Sequence, residues 1–538
     1  MTGCDEAGGD GSGMVWWGWG APGRHTPLPE GVRSLLEQGL GVTRHDTPPV
    51  DPAELRLPVA QLTGDARDAL IGAVGSAWVR DDATSRVRHC RGRSTVDLLR
   101  LRAGDALDAP DAVVLPADHD EVLAVLRVCA AHRVAVVPFG GGTSVVGGLA
   151  PVRGGLAGVI ALDVARMNLL LGVDAESQIA TCEPGLRGPA LEAALAIHGF
   201  TLGHLPQSWE YATVGGFAAT RSSGQASAGY GRFDSVVVGV RIATPAGSWE
   251  LGHAPASAAG PDLRQLVLGS EGAFGVITQV RLRVRPVPEK KIHEGWRLAD
   301  FTGATALLRA MAQRDLLPTV MRLSDEVETA AGLATARPGS DAGTGGCLLI
   351  TGYEGRAGWV DARRAEVAGL LRAAGAVALG EDAGAQWAHG RFDGPYLRDA
   401  LLDVGMFAET LETAGFWSAL SGLHTGVRDA LTAALAAEGT PGLVMGHISH
   451  VYPTGASLYF TVVCGQVDDS VARWRRVKAA ASRVITEAGA TITHHHAVGT
   501  DHRPWLAAEI GDIGVAVLRA VKNTLDPVGI LNPGVLLP

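Results

Sequence analysis

The run Val134 to Val137 leads directly into Pro138-Phe139-Gly140-Gly141-Gly142-Thr143-Ser144. A buried strand feeding a glycine loop with hydroxyls at its end can cradle a pyrophosphate. Glycines let the main chain turn with φ > 0 and present bare N–H groups, and Thr143 and Ser144 add hydroxyl donors. The loop has neither the lysine of a nucleotide-triphosphate loop nor the glycine spacing of a dinucleotide fold. Two later stretches share its character. One is Pro206-Gln207-Ser208-Trp209-Glu210-Tyr211-Ala212-Thr213-Val214-Gly215-Gly216, continuing to Thr220-Arg221-Ser222-Ser223. The other is Glu271-Gly272-Ala273-Phe274-Gly275-Val276-Ile277. Small and hydroxyl residues at this density let a flat or phosphorylated ligand approach the backbone.

The conspicuous polar groups lie far down the chain. His494-His495-His496 follows Ala488-Gly489-Ala490. Neighbouring side chains in an extended segment point to opposite faces, so no metal site is expected there. His447 and His450, three apart in a strand pattern, should likewise face opposite ways, with at most one toward a site. Tyr459 sits in a strand pattern, where a tyrosine usually packs with its hydroxyl at the edge. As a base it would need cationic neighbours to lower a pKa of about 10. Arg398 and Arg322 read most simply as structural ion pairs.

The 538 residues imply two or three domains, and 46% apolar against 19% charged residues indicates ordinary globular burial. A formal charge of −10 without a long Lys/Arg cluster argues against a nucleic-acid ligand. Neither a signal peptide nor a membrane-length apolar span is present, so a cytoplasmic protein is expected, with peripheral membrane contact still open to it. Cys4, Cys90, Cys129, Cys182, Cys347 and Cys464 are scattered without a C-x-x-C, which suggests neither a zinc site nor a disulfide framework. The glycine-rich start, residues 1–13, reads as a mobile tail.

These groups need elements to hold them. After Pro-rich loops with a short helical pattern at 52–62, strands are predicted at 113–116, 134–137, 158–163, 179–183 and 235–243, with helices at 118–132 and 188–198. From 289 to 490, strands at 347–353, 443–452 and 457–463 and helices at 303–313, 359–373 and 471–488 predict a sheet covered on one face. One tail helix is predicted at 504–525. The division expected is an N-terminal segment (1–108), a first α+β domain (109–288), a cap domain (289–490) and a C-terminal segment returning to the first domain (491–538).

Taken in order, the three glycine-rich stretches and the histidine triplet resemble the vanillyl-alcohol oxidase superfamily of flavoenzymes. Within it they resemble the alkyldihydroxyacetonephosphate synthases, from Val15-Trp16-Trp17-Gly18-Trp19-Gly20 to the end. The resemblance implies an α+β fold: a PCMH-type FAD-binding domain of two α+β subdomains plus an α+β substrate (cap) domain with an antiparallel sheet. It implies that the three stretches hold FAD. The flavin should be noncovalent, because Gly142-Thr143-Ser144 offers no His or Cys for attachment. It further implies Tyr459 as acid/base, His494, His495 and His496 as the essential histidine run, Arg398 on a substrate phosphate and Arg322 shaping the site. The activity implied is exchange of the acyl group of acyl-dihydroxyacetonephosphate for a long-chain fatty alcohol through a flavin N5 adduct, in a homodimer. An FAD-linked D-2-hydroxy acid dehydrogenase and a non-catalytic flavin carrier are the alternatives. One departure stands out: where the family tends to Gly-Val-Gly-Lys after the triplet, this chain has Ala497-Val498-Gly499-Thr500, and His502 and Arg503 are expected to replace the lysine.

Overall fold

The computed structural model describes residues 13–28, 46–335 and 345–538, together with 32, 33, 36, 39 and 40. The expected N-terminal tail lies outside these up to residue 12, as does Cys4. The other five cysteines are free and buried. Among the described residues no helix is long and apolar enough to cross a membrane.

The first subdomain is a four-stranded sheet in the order Val79–Arg80, Ala112–Val114, Gly158–Asp163, Val134–Phe139. Its last three strands run parallel and are fully apolar through Val134 to Val137, as expected where both faces are covered. Helix His119–His132 covers it, capped by the Asp118 carboxylate, which accepts from the Asp120 and Glu121 amides. The second subdomain is an antiparallel sheet in the order Leu170–Asp174, Ile179–Cys182, Val276–Arg283, Val237–Thr244, Gly247–Leu251. The C-terminal segment joins the first subdomain: the Val136 amide donates to Ile530 O at 2.8 Å, and the Asn532 amide donates back to Val136 O at 2.8 Å.

The cap is one antiparallel sheet, ordered Val377–Leu379, Lys290–Leu298, Cys347–Gly355, Val320–Ser324, Gly442–Ile448, Gly455–Gly465, Met406–Phe416, with Val451–Tyr452 paired beside it. The period of two in a strand sorts its side chains into two faces. Met321, Leu323, Val444, Ile448, Leu458, Phe460 and Val462 join the helices Phe301–Ala312, Ala357–Ala373, Trp417–Ala437 and Ser470–Glu487 in one core. The intervening residues Arg322, Met445, His447, Tyr459 and Thr461 face the other way, toward the first two subdomains.

The structure departs from the sequence expectations in several places, and the strands Lys290–Leu298 and Val320–Ser324 and the helix Trp417–Ala437 were not expected at all. The 52–62 pattern forms only a 3-10 turn, Pro52–Glu54, because Pro58 and the surrounding polar residues leave no continuous apolar stripe. The 443–452 strand is two, ending at Ile448 and resuming at Val451. Met406–Phe416, eleven residues long, was not anticipated. Its Glu409 and Glu412 break the apolar pattern of a buried strand, and both acids are buried.

Candidate active site

A cavity of about 570 Å³ lies between the first two subdomains and the bare face of the cap sheet. One wall is the glycine loop. A Cβ at Gly141 would stand 2.1 Å from Tyr211 O, and Gly142 has φ +70. Glycine is therefore needed first to seat this loop against the Tyr211–Thr213 backbone, and the two segments make one surface. Pro138 through Ser144, Pro206, Gln207, Ser208, Thr213, Gly215, Gly216, Thr220, Ser222 and Ser223 all reach the cavity, as do Glu271, Gly272, Gly275, Val276 and Ile277. The Ser144 hydroxyl is buried there without a protein partner, so a donor is held ready for a ligand oxygen. A narrow shelf of backbone and hydroxyls with one orphaned donor fits the pyrophosphate and flat ring of FAD.

Three residues expected on this wall are not. Arg221 turns away: its Nε and NH2 donate to Leu268 O and Gln265 O at 2.9 and 2.8 Å, and its NH1 pairs with Asp234. Ala273 and Phe274 pack instead with Leu506, Val535 and Leu536 of the C-terminal segment. Beside them the Lys522 ammonium donates to Ala273 O, and the Asn532 amide donates to Glu271 O. Glu271 itself accepts from the Val498 and Gly499 amides at 3.0 and 2.8 Å, and burial pushes its carboxyl up to about 7.

The opposite wall is set by cross-strand register. Ser324 pairs with His447, His447 with Tyr459, and Tyr459 with Glu412, one row across four strands. The Tyr459 ring stacks on His447 at 4.9 Å and on His495 at 6.0 Å, and meets His496 edge-on at 5.5 Å. The lowered pKa that a base would need is not found. Burial, with Glu409 and Glu412 nearby, pushes Tyr459 up to about 12 against the opposing effects of a Thr410 hydrogen bond and Arg322.

Glu412, which sequence reasoning missed, organises the histidine run. Its carboxylate is 1% exposed and accepts from the Thr493 hydroxyl at 2.6 Å and the amides of His494, His495 and His496 at 2.5, 3.1 and 2.9 Å. Burial alone would raise its pKa, yet the three imidazoles and the Thr493 bond hold it well below the ordinary carboxylate range. Because three successive amides converge on one acid, the segment curls and is not extended, and all three rings cluster. His495 and His496 reach the cavity, whereas His494 sits behind them, stacked on His450 at 4.9 Å. Burial keeps His494 and His450 well below the usual imidazole range and lowers His496 to about 3. All are neutral near pH 7. Ring nitrogens of His450, His494 and His495 lie within 4.8 Å of one another. His450 Nδ1 and both nitrogens of His494 already share protons with Ser223, Ser227, His495 and Tyr452.

His447 and His450 both reach the cavity, against expectation, because the strand ends at Ile448 and alternation no longer governs His450. The arginines are paired as well as placed. Arg322 donates to Glu328 at 2.9 Å and contacts the His447 ring nitrogens at 3.0 and 3.1 Å. Burial would raise Glu328, but His447 and Arg322 outweigh it and lower the carboxyl to about 2. Arg398 donates to Asp399 Oδ1 at 3.1 and 2.9 Å and to Arg93 O at 2.5 Å. Arg93, another cavity residue absent from the sequence expectations, is held on the carbonyls of Val15, Gly18 and Gly92. His502 and Arg503 do not replace the missing lysine at the cavity: they bind Ala497 O and Gly534 O. Lys478, ion-paired with Asp501 at 2.9 Å, adds to the burial and the neighbouring His495 that lower His496.

Comparison with known proteins agrees with this geometry. Residues 110–251 match a family described as FAD binding domain, and residues 287–536 match FAD linked oxidases, C-terminal domain. The alkyldihydroxyacetonephosphate synthase of Trypanosoma brucei brucei is 33% identical over 504 residues, covering 90% of this chain and 82% of that protein. A solved alkyldihydroxyacetonephosphate synthase superposes with a TM-score of 0.83 at 28% identity, over 97% of this chain and 98% of its own. The fold extends to p-cresol methylhydroxylase, with a TM-score of 0.66 at 17% identity over 87% of this chain and 96% of that one. FAD is thus the cofactor that the glycine wall is built to hold. The chain belongs to the alkyldihydroxyacetonephosphate synthase family of FAD-dependent enzymes.

Proposed function

We propose that this enzyme exchanges the acyl group of an acyl-dihydroxyacetonephosphate for a long-chain alcohol, forming an ether-lipid precursor. The observation that carries the reading is the row Tyr459–His447 with His495 and His496, facing the FAD wall across one cavity. Bound FAD would supply an electrophilic ring that activates the substrate carbon without net oxidation. Pro138 to Ser144, Pro206 to Ser208, Glu271, Gly272 and Gly275 to Ile277 would hold it, noncovalently.

The chain's own residues would divide the rest. Arg398, its plane fixed by Asp399 and Arg93 O, keeps further N–H donors for a phosphate, and guanidinium suits that task better than ammonium. Tyr459 rests as a neutral phenol, so it first donates a hydrogen bond. To take a proton from the substrate carbon it must hand its own to a neutral imidazole, and His495 and His496 flank it, while the His447 nitrogens are taken by Arg322 and Glu328. His495 or His496 then accepts the proton of the incoming alcohol.

The test is turnover by purified yellow protein given palmitoyl-dihydroxyacetonephosphate and hexadecanol, with the ether product read by mass spectrometry. Lasting bleaching of the flavin by a D-2-hydroxy acid, with no ether formed, would replace this reading with hydride-transfer chemistry.

A further inference from the structure

Behind the cavity, the histidine run continues into a second tyrosine. His495 Nδ1 lies 3.0 Å from His494 Nδ1, and His494 Nε2 lies 2.6 Å from the Tyr452 hydroxyl. Two facing Nδ1 atoms at hydrogen-bond distance share one proton. If both rings are neutral, one must carry its proton on Nδ1 and the other on Nε2. The rings therefore cannot change tautomer independently. We infer that Tyr452 is the outer end of a proton relay leaving the cavity through His495 and His494. This rests on the proposed use of His495 as a proton acceptor.

The step balances. Before transfer, His495 Nε2 is bare, His495 Nδ1–H donates to His494 Nδ1, and His494 Nε2–H donates to the Tyr452 oxygen. A proton arriving at His495 Nε2 sends the Nδ1 proton to His494. The Nε2 proton of His494 then passes to Tyr452, and the phenol's original proton passes to solvent at this half-buried residue. One proton enters, one leaves, and both imidazoles end neutral in the opposite tautomer.

The surroundings hold this line in place. Glu412 fixes the His494 and His495 amides, and Arg232 donates to His494 O at 3.0 Å. The His494 ring is stacked on His450, whose Nδ1 is tied to the Ser223 and Ser227 hydroxyls at 3.0 and 2.5 Å. Burial lowers His494 and His495, which favours tautomer exchange over storage of charge. At the outer end Tyr452 is half-buried, while Pro453 and Thr454 are exposed. Arg232, paired with Asp234 at 2.6 Å, offsets part of the burial that raises the Tyr452 phenol.

Tyr452→Phe in the FAD-loaded enzyme removes only the terminal hydroxyl. Ether formation should fall about tenfold in kcat with KM nearly unchanged, and the multi-proton solvent deuterium effect of the parent should become a one-proton effect. A purely structural Tyr452 would leave the isotope effect as it was, which would overturn the relay. A second readout does not depend on turnover. With 15N-labelled histidine, the parent should show His494 and His495 as opposite neutral tautomers at pH 7, and Tyr452→Phe should move the His494 Nε2 resonance. An imidazolium at either residue, or an unmoved resonance, would also overturn it. A parent that makes no ether yet shows the paired tautomers would sink the synthase reading while leaving the relay standing.

Discussion

The two walls of the cavity are built on different principles. The FAD wall is made of backbone: three short glycine-rich segments, each continuous in sequence, bring main chain and small hydroxyls to the surface. The opposite wall is made of side chains from Val320–Ser324, Gly442–Ile448, Gly455–Gly465 and the 494–496 segment, held by the buried Glu412 and the half-buried Glu328. A backbone surface binds what every member of a fold must bind. A side-chain surface selects the chemistry. Damage to the first should therefore cost flavin, and damage to the second should cost turnover in protein that stays yellow.

Tyr459→Phe tests this separation most severely. It should retain FAD and lose turnover by about a thousandfold or more, the scale of an acid/base group at a reacting carbon. Absorbance at the flavin band alongside the ether assay decides it, and a variant that loses its colour would show that the walls are not independent. Gly141→Ala is the mirror case. The new Cβ would meet Tyr211 O at 2.1 Å, so the glycine loop must part from the 206–213 segment. Flavin content after purification should fall at least about tenfold, while added FAD restores part of the activity.

Glu412→Gln comes next. The amide has one acceptor oxygen for four donors and turns its own NH2 toward backbone N–H groups. The cost should be about 2–4 kcal/mol of stability, and the shifted histidines should slow turnover about a hundredfold. Thermal unfolding and the ether assay, run together on yellow protein, check both. Arg398→Lys keeps the charge beside Asp399 but loses the fork. KM for the phosphorylated substrate should rise roughly tenfold with little change in kcat, and an unchanged KM would move the phosphate elsewhere.

What could be read from the sequence follows the same division. The glycine segments were legible because each carries its function within a dozen residues, and so was the cap sheet's covered face, through the helices that alternate with its strands. Glu412 was not, since its partners lie 82 residues on, at His494 and beyond, and a buried acid in a strand has no local signature. His450 was misread because a straight strand was assumed across a break at Ile448. Arg221 was misplaced because its backbone belongs to the FAD segment while its side chain binds Leu268 O and Asp234. The rise in the Tyr459 pKa depends on burial and on two acids from another strand, which no local pattern shows.

Glu271 is the residue where the two walls meet, and substitution there should disturb turnover least. It belongs to the FAD wall, yet its carboxylate holds the Val498 and Gly499 amides just after the histidine run. Its folded pKa of about 7 lies above the ordinary carboxyl value, because burial outweighs the two amide bonds. The sign follows: below the ordinary value the group is protonated in both states and costs nothing. As pH rises toward 7 the unfolded state ionises freely while the folded one resists, so stability falls. Above about 7 the whole penalty is present. Glu271→Gln keeps an acceptor oxygen for the two amides but cannot ionise. Its melting temperature should match the parent near pH 5 and exceed it by a few degrees near pH 8, the scale of about 1–2 kcal/mol in a protein this large. Parallel melting curves across that range would show it. If Glu271→Gln instead loses flavin and turnover together only above about pH 7, where the parent carboxyl is ionised, the negative charge itself would be what ties the histidine run to the FAD wall.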